Sequence, residues 1–496
     1  MQCPNSEPTR ERMKRANLIK LGATSAVAVL GLAAGCDESD PVGTRTDVVV
    51  QSHSVTPALV KGLPAGVQAY PLISSDDALA GSPNFVFGGS ADGMGLKRNP
   101  DGTFTLLVNH EDNFSVSRVR LDGTFKPLSG EYVLNSNAGR WRLCSATLAT
   151  PEIHGFSAYL TVGESSAESM IHALDPDGAP NTSRLLAGLG KWNSENAVPL
   201  PKTAYANRTV ILIGDDDSGP QGGQVAMYVG NAVGDLDNGS LYVMARADDV
   251  IRERDMQVGQ RYPVVFRRIE NQQALTGAQI NARTVELKAI QFGRVEDLDY
   301  RKGTAGREVY FNVTGQDNTG SNADYSRSKF GRVYRLVLDE ADPTRGTVEL
   351  LLDGDDRGGP AKTFQNPDNI LVTRSYVYIQ EDPNGYKGNA TPGDDETHDA
   401  YIYQYDISSR QLRVVMELDH RRGEAKYNVG GPSGFGDWEY GAMLDVSDQL
   451  GVRDAFLLAV QPHTWRGDRY KGVDGGTARL NENQASQVLV VTGLPR

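Results

Sequence analysis

Apolar residues along this chain come in short runs, and many of those runs stop abruptly in acids. Leu106-Leu107-Val108 meets Asn109-His110-Glu111-Asp112, and Ile211-Leu212-Ile213-Gly214 meets Asp215-Asp216-Asp217. Tyr378-Ile379-Gln380 meets Glu381-Asp382, and Tyr159-Leu160-Thr161 leads to Gly163-Glu164. Period-two alternation and β-branched or aromatic enrichment predict strands at 85–88, 104–108, 117–121, 158–162, 209–213, 225–229, 241–244 and 309–313. Further strands are predicted at 333–338, 347–352, 376–380, 401–405, 411–416, 455–460 and 487–491. Asp101-Gly102, Asp122-Gly123, Asn238-Gly239, Asp353-Gly354 and Asn384-Gly385 punctuate them as turns. Helix is expected only at 247–255 and 445–450, and 317–328 and 386–399 read as long surface loops.

No strand–helix–strand rhythm runs through the chain, which argues against a parallel α/β sheet. Uncompensated carboxylates at the end of a buried strand cost several kcal/mol. Repeated strands that deliver acids at one end therefore suggest a radial β architecture with hard cations on its axis. The expected fold is all-β, a six-bladed β-propeller with loop insertions and its inner-strand acids facing a central channel. A β-sandwich is the rival. Roughly 450 residues is large for one sandwich and suits six blades of ~40–50 residues.

Charge and composition sharpen this. Asp and Glu number 63 against 50 Lys and Arg, so nucleic acid and anionic lipid are poor partners for the body of the protein. The 54 glycines fit a strand-and-turn chain. A monomer is expected.

The N-terminus reads as an export signal over 1–35. Arg12, Lys14 and Arg15 precede an apolar stretch, 21–34, that is too short to span a bilayer. It closes on Leu32-Ala33-Ala34-Gly35-Cys36, which resembles a bacterial lipobox with Cys36 as the lipidated residue. Lys14-Arg15-Ala16-Asn17-Leu18 also resembles a twin-arginine signal. Residues 36–60 read as a flexible tether and 61–496 as a single propeller domain. The protein is thus expected outside the cytoplasm, periplasmic or on the cell surface, touching membrane only through an N-terminal lipid anchor. Of the three cysteines, Cys3 precedes the cleavage point and Cys36 carries lipid, leaving Cys144 with no disulfide partner. By itself Cys144 is either core filler or a metal ligand.

Several segments carry candidate chemistry. They are Asn109-His110-Glu111, Cys144-Ser145 followed by the acid-bearing strand at Glu164, and Arg294-Val295-Glu296. Further ones are Pro367-Asp368-Asn369, Glu381-Asp382 and Gln461-Pro462-His463. On a strand, Arg294 and Glu296 point to the same side. Of the histidines, His110 and His463 sit at strand ends beside other candidate ligands.

Together, in this order and from about residue 80 onward, these segments resemble the PhoX-type alkaline phosphatase family. The family's usual Cys-Ser-Gly-Gly and Cys-Glu-Glu runs stand here as Cys144-Ser145-Ala146-Thr147 and Val162-Gly163-Glu164-Ser165, so the chain reads as a divergent relative. The resemblance implies a six-bladed propeller whose channel holds Fe3+ and Ca2+ and hydrolyses small phosphate monoesters. It places Cys144 as the thiolate on iron and Arg294 as the clamp on the phosphoryl group. Glu111, Glu164, Glu296, Asp368 and Glu381 then stand as candidate metal ligands, and Asp215, opening the carboxylate run Asp215-Asp216-Asp217, is a further candidate read as a calcium-like loop from the residues themselves. Two other readings share the cations without the phosphatase chemistry: a non-catalytic propeller lipoprotein braced by Ca2+ alone, and a calcium-dependent esterase or lactonase.

Overall fold

The computed structural model describes residues 48–383 and 398–496. The export signal, Cys36, the turn at Asn384-Gly385 and most of the 386–399 loop lie outside the described residues. Among those described, no helix is long and apolar enough to cross a membrane.

The chain forms antiparallel meanders arranged radially, a β-propeller. The first sheet runs outward as Ala91–Arg98, Phe104–His110, Ser115–Leu121 and Pro127–Leu134. The second runs Leu143–Ala149, Ala158–Gly163, His172–Leu174 and Arg184–Leu185. Two further meanders begin at Ser194–Pro199 and at Val295–Tyr300. The next runs Pro367–Val372, Tyr376–Glu381, Tyr401–Asp406 and Leu412–Leu418, with Val60–Lys61 added at its outer edge. The last runs Glu439–Asp445, Ala455–Gln461 and Gln487–Thr492, and its fourth strand is Gln68–Ser74 from the other end of the chain. This pairing of the two chain ends closes the ring and removes a free edge.

Among the described residues, the six separate blades expected from sequence emerge as five hydrogen-bonded sheets. Arg261–Ile269 pairs with Ser240–Arg246 on one side and Arg345–Asp353 on the other, so the third and fourth meanders merge into one nine-stranded sheet. The innermost strands still form a complete circuit. Ala91–Arg98 packs on Leu143–Ala149, then follow Ser194–Pro199, Val295–Tyr300, Pro367–Val372 and Glu439–Asp445, which packs back on Ala91–Arg98.

Apolar side chains from facing sheets fill the wedges between them. Leu106, Val108, Leu457 and Val490 share one such core, and Leu160, Ile211, Ile213 and Val243 share another. Residues at the end of the predicted tether are part of this packing. Leu59 is buried, Val60 pairs with Leu418, and the Val49 amide donates to Thr124 O at 3.3 Å.

Several local expectations change. Segment 85–88 is not a strand; Phe87 is buried and packs edge-on against His110. The helix expected over 247–255 reduces to a single turn at Glu253–Asp255, and that at 445–450 to Ser447–Leu450. One regular helix, Gly277–Glu286, was not expected; Thr276 caps it, with Gln279 closing a capping box. Its apolar positions are too few to show a face in sequence, and only Gly277, Ile280 and Thr284 are buried.

The acids lie differently from the sequence expectation as well. The apolar runs that stop in acids are the second strand of each meander, not the innermost one. The innermost strands were absent from the predicted set because their sequences, such as Ala91-Asp92-Gly93-Met94-Gly95 and Val295-Glu296-Asp297-Leu298-Asp299, carry too few alternating apolar residues.

Candidate metal centre

Each innermost strand begins with an irregularity. Register shifts lie between Ala91 and Met94, Leu143 and Ala146, and Ser194 and Asn196. Others lie between Val295 and Leu298, Pro367 and Ile370, and Tyr440 and Met443. A bulge frees a residue from the ladder and re-aims its side chain. The residues so freed include Asp92, Cys144, Glu195, Glu296 and Asp368. In the last sheet the corresponding position, next after Tyr440, is Gly441, where a Cβ would lie 2.6 Å from Ala91 O, and Glu439 two residues earlier supplies the acid instead. The second strand returns antiparallel, so the residue just past its end lies at the same end of the channel. Ala91 pairs with His110, Leu143 with Gly163, and Pro367 with Glu381, which sets Glu111, Glu164 and Asp382 beside the bulged residues. Close approach of neighbouring meanders depends on glycine: a Cβ on Gly93, in an innermost strand, would lie 2.5 Å from Ala146 N, and one on Gly214, in a second strand, would lie 2.2 Å from Glu296 O.

The result is a continuous array. Asp92, Glu111 and Cys144 bring ligand atoms within 4.8 Å of one another, as do Cys144, Glu164 and Glu195. Glu195, Glu296 and Asp368 form a third such group, and Asp368, Asp382 and Glu439 a fourth. The groups share members, so nine side chains, eight carboxylates and one thiol, form one belt around the channel mouth.

Two guanidiniums face it. Arg142 reaches Glu111 at 3.3 Å, Asp112 at 3.3 Å and Glu164 at 3.6 Å. Arg294 reaches Asp216 at 2.7 Å and Glu296 at 3.1 Å. Arg294 sits at φ 71°, a left-handed conformation that costs about 1–3 kcal/mol for a non-glycine residue. Its neighbours hold it there. Glu253 accepts from the Gly293 amide at 2.9 Å, and the Arg294 carbonyl accepts from Thr314 N at 3.0 Å. Such stored strain is typical of residues positioned for a task.

The electrostatics suit a cation site. Burial, then neighbouring carboxylates, push Asp92, Glu195, Glu296, Asp368 and Glu439 well above the usual carboxylate range. Burial raises Glu111 too, with Arg142 pulling against it. Glu164 is pushed up to about 7 by burial and by Asp216. Burial and the surrounding acids, Glu195 first, raise the Cys144 thiol, whose Sγ donates to Glu164 Oε2 at 3.3 Å. Asp368 Oδ1 and Gln461 Oε1 are buried acceptors with no donor. Two arginines cannot balance eight carboxylates, and multivalent cations would supply both the charge and the missing partners. The donor set, carboxylate-rich with one sulfur, fits hard cations and leaves one position suited to a thiolate-binding metal.

Of the ligands expected from sequence, Glu111, Cys144, Glu164, Glu296 and Asp368 join the belt, and Arg294 stands beside it. Two do not. Glu381 is fully buried and caps its own sheet, accepting from Gln365 N at 2.7 Å and Tyr401 N at 2.8 Å, while burial raises it to about 7. Its neighbour Asp382 takes the ligand place, because one residue along a strand reverses the side chain's direction. Asp215 likewise points away; its Oδ1 accepts from Asn193 N at 3.1 Å, and its Oδ2 is buried without a donor. Burial and Asp217 hold its carboxyl well above the usual range. Asp215→Asn is therefore expected to leave bound cation unchanged and to hold or raise the melting temperature, since asparagine keeps the acceptor for Asn193 N and cannot ionise in the buried site. A drop in cation content by elemental analysis contradicts this placement.

His110 is also not at the belt. Its Nε2 pairs with Ser117 Oγ at 2.8 Å and burial lowers it to about 4. Asn109 binds across sheets instead, donating to Thr161 Oγ1 at 2.8 Å and accepting from Tyr159 OH at 2.9 Å. His463 does reach the belt through Glu439 at 3.0 Å. Besides Glu439, which stands between Trp438 and Tyr440, Asp92 and Glu195 were missed by sequence reasoning. Each is a lone acid between small or polar residues, and neither follows an apolar run. Glu195 completes the group around Cys144 and Glu164, while Ser165 accepts from Arg142 N and Glu168 pairs with Lys191 at 3.0 Å.

This architecture defines a β-propeller with a carboxylate–thiol belt at one mouth of its channel. The structure of Pseudomonas fluorescens PhoX in complex with vanadate, a transition-state analogue, superposes with TM-score 0.58 at 15% identity, covering 89% of this chain and 98% of that one. That likeness shows a PhoX-like propeller fold. A PQQ-bound aldose sugar dehydrogenase from Streptomyces coelicolor follows at TM-score 0.35 and 12% identity, over 87% of this chain and 99% of its own. An α-L-arabinofuranosidase from Fusarium graminearum gives 0.38 at 10% identity, over 85% and 97%. No family model and no curated protein sequence matches the chain.

Proposed function

We propose that this chain is an exported, metal-dependent phosphatase that hydrolyses phosphate monoesters at an iron and calcium cluster held by the belt. The observation that carries the reading is the thiol of Cys144 shared between two carboxylate groups, with Arg294 at 3.1 Å from Glu296 on the same rim. The fold shared with a vanadate-binding phosphatase supports it. Asp92, Glu111, Cys144, Glu164, Glu195, Glu296, Asp368, Asp382 and Glu439 would hold the cations. When bound, these supply Lewis-acid charge against the phosphoryl oxygens and lower the pKa of water.

The chain's own part is positioning. Arg294, 29% exposed, is fixed through Nε and Nη2 by Asp216 and Glu296, which leaves Nη1 to donate to a tetrahedral oxyanion. Arg142, 44% exposed, offers a second positive face on the other side of Glu164. The apolar wedges behind the belt keep its low-dielectric setting, in which charge–charge interactions are strong.

The protein as expressed is expected to contain iron and to show a visible thiolate-to-metal absorption band. Cys144→Ala is expected to abolish that band and phosphate release together. Calcium without iron, or an unchanged spectrum in Cys144→Ala, goes against the iron part of this reading.

A further inference from the structure

Beside the belt opens a pocket of ≈ 360 Å³, lined by Glu164, Ser166, Asn193, Asp217 and Ser218, with Ala167 and the Asp216–Arg294 pair completing it. Arg294 and Glu164 form one wall, which gives the alcohol of a phosphate ester clamped at Arg294 this space to occupy. Resting on the phosphatase reading, we infer that this pocket selects phosphate monoesters of small hydroxylated or ammonium-bearing alcohols and disfavours nucleoside polyphosphates and aryl or long-chain alkyl esters.

Three features of the lining carry this. Among the described residues it holds no aromatic or branched apolar side chain, so an aryl or alkyl group gains little by entering. Its polar groups suit a polyol: the Ser218 hydroxyl, the Ser166 hydroxyl, which accepts from Glu168 N at 3.2 Å and keeps its own proton to donate, and the Asn193 carbonyl, whose amide nitrogen is held by Glu164 and the Asp216 carbonyl at 3.3 Å each. Its charge is unfavourable to further phosphates. Arg294 is already engaged by two carboxylates, and Asp217 stands outside every cation-binding group. Asp217 is held in place from two sides, accepting from Gly219 N at 2.6 Å and from Asn281 Nδ2 at 3.0 Å, and faces the pocket as a fixed negative charge. An ammonium group is attracted to it and a pyrophosphate tail is repelled.

The test uses the full-length, cation-loaded protein and kcat/KM for phosphate release from glycerol 2-phosphate, phosphoethanolamine, ATP and 1-naphthyl phosphate. Glycerol 2-phosphate and phosphoethanolamine are expected to exceed both others by about tenfold or more, the scale on which pocket contacts discriminate. Asp217→Asn is expected to narrow the gap with ATP and to leave that with 1-naphthyl phosphate. Ser218→Lys, at the exposed rim, tests the same charge argument without touching the Asn281 contact and should also favour ATP. Equal turnover of ATP or 1-naphthyl phosphate and glycerol 2-phosphate overturns the inference while the phosphatase reading stands. So do variants that shift every substrate alike. Absence of release from all four substrates removes the phosphatase reading itself, and the inference with it.

Discussion

Arg294→Ala is expected to lower phosphate-ester turnover by about 10²–10³-fold, the usual cost of removing one preorganised donor from a developing oxyanion. Cation content should stay at the parent level, because no belt ligand is removed. The geometry makes the loss specific to the reaction. The guanidinium donates twice to Asp216, at 2.7 and 2.9 Å, and once to Glu296 at 3.1 Å, and its backbone is strained at φ 71°. The planar fork is thus oriented before any substrate arrives. Arg294→Lys separates charge from shape: lysine keeps the charge without the fork, and recovery of no more than a small part of the rate is expected. Steady-state kinetics with metal analysis on the same samples decides it. Parent-level turnover in Arg294→Ala rules out the clamp.

The second large effect concerns pH and cation removal. Stripping the belt with a chelator is expected to lower the melting temperature, and the loss should deepen as pH rises. The sign follows from the direction of the shifts. Belt carboxylates such as Glu164 are raised in the folded chain, to about 7 against an ordinary 4.5, so the folded state holds protons that the unfolded state releases. Their contribution to stability is fully present below about pH 4.5 and is lost as pH climbs through 7. Each pKa unit is worth about 1.4 kcal/mol, which makes Glu164 alone a contribution of about 3 kcal/mol. Asp92, Glu195, Glu296, Asp368 and Glu439 shift in the same direction and add to it. With cations bound the dependence reverses, since ligands must be deprotonated to hold a metal. Melting curves from pH 4 to 9, with and without chelator, should therefore diverge as pH rises. Parallel curves contradict a cation-holding belt.

The outer architecture was legible from apolar patterning alone. Strands such as Phe104–His110, Val210–Asp215 and Ala455–Gln461 are apolar because both of their faces pack against neighbouring sheets, and that burial writes itself into the residue types. Their abrupt ends in Glu111, Asp216 and Gln461 announced a polar mouth. The innermost strands were not legible, since they line a polar channel and begin with bulges that break period-two alternation. Cys144, Glu296 and Asp368 came into view through a family resemblance, whereas Asp92 and Glu195 left no local mark.

By itself the sequence determined an all-β chain with acids gathered at strand ends, because side-chain burial and turn chemistry are local and leave their pattern in the residue order. Tertiary structure alone decided which acids meet. A one-residue step along Tyr376–Glu381 separates a buried cap, Glu381, from a belt member, Asp382, and pairing of Gln68–Ser74 with Gln487–Thr492 closes the circle that brings Asp92 to Glu439's side of the channel. Convergence of that kind depends on ring closure and on bulge geometry, which are properties of the assembled sheets and not of any segment.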